Sequence, residues 1–120
     1  MHAAADVIVA FVALEHLWFL VLEMFLWTKP IGLKTFKLTP QFAEASKALA
    51  ANQGLYNGFL AAGLVWGLLA QDPAVALSIK SFFLACVVVA GAFGAASVSP
   101  RILLVQAAPA LAALALLRLT

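Results

Sequence analysis

An all-α, four-transmembrane-helix bundle is the fold this sequence predicts, and three observations predict it. First, 66 % of the 120 residues are apolar, only 10 % are charged, and the mean hydropathy is +1.09. A soluble domain this small has too much surface to hide that many apolar side chains, whereas a lipid-embedded bundle has no need to hide them. Second, the apolar residues gather in four segments, about 3–27, 50–70, 74–97 and 101–118. At about 1.5 Å per residue each can cross a hydrocarbon core of about 30 Å, with variable tilt. Third, helix-ending and helix-starting residues punctuate the gaps. The length fits a single integral membrane domain over residues 1–120 and no more than four spans.

The first segment opens Met1-His2-Ala3-Ala4-Ala5-Asp6. It lacks a basic leading region, and the apolar run is too long for a cleaved signal, so it reads as the first span. Pro30-Ile31-Gly32 is expected to end it. One starting device then recurs, at Thr39-Pro40, Asp72-Pro73 and Ser99-Pro100. A capping side chain followed by proline suits the unsatisfied amides of a helix start. A second helix that begins near Pro40 and runs to Ala70 is about 45 Å long, so its first turns, with Gln41, Glu44 and Lys47, project into water or bend along the interface. Pro109 should kink or break the fourth span.

Charge gives an orientation. Lys29, Lys34, Lys37 and Lys47 fall between the first two spans and Arg101 between the last two, while Asp6, Asp72 and Arg118 lie on the other side, with Lys80 seven residues into the third span. The positive-inside rule then puts the first and third loops in the cytoplasm and both termini on the non-cytoplasmic side. This reads as a multi-pass protein of a bacterial inner membrane. Trp27 and Trp66 fit opposite interface belts, and Trp18 is deep enough to be a packing or cavity residue.

The candidate site consists of the polar residues inside the spans: Glu15, His16, Glu23, Asn52, Gln53, Tyr56 and Asn57. A charged group near the midplane is costly and usually faces the bundle interior, so Glu15 is expected to be protonated or paired. His16 and Glu23 are seven apart and share a helix face, as do Gln53 and Asn57, four apart. Depth counting sets Glu23 opposite Asn52 and Gln53, and His16 opposite Asn57 and Tyr56, if the outer helix ends are level. The two ladders then line a cleft open to the cytoplasm, with Lys47 and Arg101 at its mouth. Each residue also has a plainer reading. Glu23 can be solvated at the interface, and His16, Asn52, Gln53 and Asn57 can be ordinary interhelical hydrogen bonders. Lys80 snorkels outward or reaches toward Glu15. Gly54-x-x-x-Gly58, Gly63-x-x-x-Gly67 and Ala90, Gly91 and Gly94 permit close helix approach, within or between subunits.

Several chemistries lack their residues. There is no phosphate loop, dinucleotide fingerprint or nucleophile elbow. Two histidines and one cysteine, without zinc-ligand spacing, predict no metal site. Cys86 rules out an internal disulfide. No basic cluster suits nucleic acid. No cofactor is specified.

The run Val12-Ala13-Leu14-Glu15-His16-Leu17-Trp18-Phe19, then Leu22-Glu23-Met24-Phe25-Leu26-Trp27, Lys34-x-Phe36 and Leu49-Ala50-Ala51-Asn52-Gln53-Gly54-Leu55-Tyr56-Asn57-Gly58-Phe59-Leu60, resembles a known family. It is that of the small bacterial four-span membrane proteins catalogued only as a domain of unknown function. The resemblance implies an architecture and a choice of polar residues, but no reaction. The chain is also faintly similar to the membrane-associated eicosanoid and glutathione metabolism proteins, which have four spans and assemble as trimers. Lys47, Asn52, Gln53, Asn57 and Arg101 occupy a comparable zone. The second span lacks their Arg-x-x-Asn-x-x-Glu pattern, however, and no catalytic role carries over.

Three functions are therefore open. The chain binds or moves a small amphipathic or polar ligand, as a homo-oligomer in the lipid bilayer. Alternatively it is a structural or regulatory membrane subunit whose polar ladder sets helix register. The third is a membrane enzyme of the glutathione-transferase-like kind, with His16 or a glutamate as proton donor.

Overall fold

In a computed structural model of the protein, residues 2–97, 101 and 103–119 are described. They form α1 (His2–Met24), α2 (Pro30–Phe36), α3 (Pro40–Leu69), α4 (Pro73–Ser97), a π-helical turn (Leu103–Ala107) and α5 (Ala108–Leu119). There is no strand among the described residues, so the chain is all-helical. Among the described residues two helices are long and apolar enough to cross a membrane, Ala3–Met24 and Pro73–Ser97. The 30-residue α3 has the length, but Asn52, Gln53 and Asn57 lower its hydropathy.

The proline devices work as hydrogen-bonded caps. The Phe42 amide donates to Thr39 Oγ1 at 3.1 Å. The Ala74 and Val75 amides donate to Asp72 Oδ1 at 2.9 and 3.4 Å. Ser99-Pro100 lies outside the described residues. Near Pro109 the helix widens, with the π-helical turn immediately before α5. Proline has no amide to give the carbonyl four residues back, and its ring crowds that carbonyl. A wider turn relieves both conflicts.

Pro30-Ile31-Gly32 does not end the first span, contrary to expectation. α1 stops at Met24, and Pro30 is the first residue of α2. The cause is a tight corner. Gly32 is pressed onto the backbone of Leu26 and Trp27, where a Cβ would lie 2.9 Å from the Trp27 carbonyl oxygen. Lys37 closes α2 in the left-handed region (φ 54°), its amide bonded to the Leu33 carbonyl. A Gly32→Ala substitution forces backbone apart, and we expect a loss of about 1–3 kcal/mol, read as a lower melting midpoint in detergent with altered tryptophan emission.

The chain forms two compact units, residues 15–59 and residues 1–14 with 60–120. In the latter, Ala5, Val9, Val12 and Ala13 of α1 meet Leu64 of α3, Leu84 and Val87 of α4, and Ala110, Ala113 and Leu117 of α5. Gly91 sits against Ala107, where a Cβ would be 2.8 Å from the alanine Cβ. The spacings follow helical periodicity. Ala, Val and Leu side chains fill this core, while Val7, Phe11, Leu14, Phe82, Val89 and Phe93 face out.

Candidate functional site

Residues 15–59 bring two of the candidate residues into contact. Glu23 occupies the last turn of α1, and Asn57 lies past the middle of α3. Asn57 Nδ2 donates to Glu23 Oε1 at 2.6 Å. The carboxyl oxygen accepts this bond whether Glu23 is ionised or not. Gly54 lets the helices close on the pair. A Cβ there would stand 2.7 Å from Met24 Cγ, 3.1 Å from Glu23 Cβ and 3.2 Å from the Leu20 carbonyl oxygen. The base of Glu23 therefore rests on the α3 backbone.

The observed register corrects the expected one. Glu23 faces Asn57, not Asn52 and Gln53, a shift of one turn, or about 6 Å. The depth count assumed that the outer helix ends are level. Asn52, Gln53 and Tyr56 are exposed on α3, and the Tyr56 ring packs at 5.9 Å from Phe59. They do not converge on Glu23. His16 is fully buried, its ring edge-on to Phe19 at 5.2 Å. Glu15 is half-buried, and its Oε1 has no hydrogen-bond partner among the described residues. Trp18 is 45 % exposed, so it is not the packed residue expected. Lys47 pairs with Glu44 on the exposed start of α3.

Trp27 anchors the corner. Its Nε1 donates to Ser46 Oγ at 3.1 Å, and its ring lies 4.9 Å from that of Phe36. Ser46 Oγ in turn donates to the Phe42 carbonyl at 2.7 Å.

Residues 1–14 and 60–120 hold a polar contact that the sequence reading missed. Lys80 Nζ donates to Asp6 Oδ1 at 2.7 Å, with Lys80 only 5 % exposed. Lys80 therefore turns inward to Asp6 and does not snorkel. Gly67 makes the slot for its stem, since a Cβ there would meet Lys80 Cγ at 2.5 Å. The signal was available: Lys80 is the one charged residue of α4, and Asp6 and Lys80 both lie within the first eight residues of their helices. Along α4, Phe82, Ala85, Cys86, Val89 and Ala90 line a shallow apolar groove of about 450 Å³. Among the described residues no three His, Cys, Asp or Glu side chains gather as a metal site.

A family model described as "Protein of unknown function (DUF1304)" matches residues 10–118. No curated protein and no solved structure matches the chain.

Proposed function

The chain belongs to the DUF1304 family, and we propose that it is a four-span integral membrane protein whose Glu23–Asn57 pair holds the polar head of a small amphipathic ligand. One observation carries this reading: a carboxyl group bridged by an asparagine across two helices, where lipid would leave it unsatisfied. Asn57 occupies one carboxyl oxygen. Oε2 has no such bond among the described residues and is open to an ammonium or other donor head group.

The membrane setting is supported by the placement of side-chain sizes. Ala5, Ala13, Ala110, Ala113 and Gly91 let the helices approach between packed Val and Leu side chains, and further Phe, Leu and Val side chains face outward. Lipid favours this arrangement, because close packing rather than water exclusion drives helix association there. The lysines between α1 and α3 support a cytoplasmic first loop, with both termini across a bacterial inner membrane. Asn52, Gln53 and Tyr56, polar and outward-facing on α3, support a homo-oligomer in which a second copy satisfies them.

The test is a titration in nanodiscs with a fluorescent alkylammonium probe, against an alkyl sulfate of equal chain length. Saturable binding of the cation alone is expected. Equal, non-saturable uptake of both probes overturns the ligand reading and leaves a subunit whose Glu23–Asn57 bond only sets register.

A further inference from the structure

The corner between α1 and α3 carries Lys29, Lys34 and Lys37, all exposed, and the sequence has no acidic residue between Glu23 and Glu44. Lys47, the next lysine, is already matched by Glu44. The three cations are mounted on a braced support. Gly32 is pressed to the preceding turn, Phe36 stacks on Trp27, and Trp27 is tied to Ser46. Thr35 Oγ1 donates to the Ile31 carbonyl at 2.6 Å. Lys34 projects from the side of α2 away from Gly32, with Ile31 45 % exposed beside it. Lys29 and Lys37 flank α2 as its two cap residues. Apolar Phe25, just after α1, and Phe42, in the first turn of α3, are 63 % and 58 % exposed at the two ends of this segment.

We infer that this corner is a docking surface for anionic phospholipid headgroups, with Lys29, Lys34 and Lys37 on the phosphates and Ile31, Phe25 and Phe42 in the acyl boundary. Charge complementarity selects the occupant. Unpaired lysines held beside exposed apolar side chains match a surface that is negative and greasy at once. A free phosphate offers no apolar part, and a chain of net charge +2 without a larger basic cluster does not make a nucleic-acid groove. The inference rests on the membrane reading above, but not on the Glu23 ligand.

The test is native mass spectrometry of the detergent-solubilised full chain, titrated with phosphatidylglycerol and with phosphatidylcholine of matched tails. The wild type should bind phosphatidylglycerol at least tenfold more tightly. Lys29→Gln, Lys34→Gln and Lys37→Gln combined should abolish the preference, at about fivefold per lysine. The corresponding triple arginine variant should keep it, which guards against a misfolded glutamine variant. Added inorganic phosphate should not displace the lipid. Equal binding of the two lipids by wild type, or an undiminished preference in the glutamine variant, overturns the proposal. Recovery of the chain in the aqueous fraction without detergent overturns the membrane reading and this inference with it, a result distinct from either lipid outcome.

Discussion

Asp6→Ala lowers the melting midpoint of the detergent-solubilised protein, and Asp6→Leu combined with Lys80→Met recovers most of the loss. Lys80 is 5 % exposed, its stem is laid over Gly67, and its ammonium has Asp6 Oδ1 at 2.7 Å. Removing the carboxylate leaves a buried cation without its counter-charge. Breaking such a pair costs about 3 kcal/mol, the low end of the range for buried pairs, because the Asp6 side chain is itself 40 % exposed. Replacing both partners by apolar side chains removes the charge along with its partner, and such swaps are close to neutral. Tryptophan emission against temperature reads both variants. A single variant as stable as wild type, or a double variant no better than the single, contradicts the assignment.

The second large effect is on binding. Glu23→Gln keeps an oxygen that can accept from Asn57 Nδ2, so its melting midpoint stays close to that of wild type. Its affinity for the alkylammonium probe falls at least tenfold, about 1.4 kcal/mol, because the charge is gone while the shape remains. Asn57→Leu behaves differently. It removes the interhelical bond, worth about 0.6 kcal/mol on average between membrane helices, and lets the carboxyl group reorient. Parallel titrations and melts in nanodiscs separate the two effects. A Glu23→Gln protein that unfolds but binds normally when stabilised by lipid reverses the roles assigned here.

The features that were legible in the sequence are those decided locally. Thr39-Pro40 and Asp72-Pro73 announced the starts of α3 and α4, because a cap needs only the next few amides. Pro109 announced a disturbed last helix, although not that the strain would appear as a wide turn before it. The corner was not legible. Its lysines looked like a loop, and nothing local says that Gly32 packs on Leu26 and Trp27. Helix register escaped as well, since residue counting fixes a residue's position along its own helix but not how far two helices slide. Gly54 settles that slide by admitting Glu23 against the α3 backbone, and Asn57 then becomes the partner. Asp6 and Lys80, 74 residues apart, meet only once α1 and α4 pack.

The most direct measurement is native mass spectrometry of wild type and Glu23→Gln released from lipid nanodiscs. Wild type should retain a small non-lipid mass that a folded Glu23→Gln protein lacks. A bare wild-type chain, or the same adduct on both proteins, contradicts it.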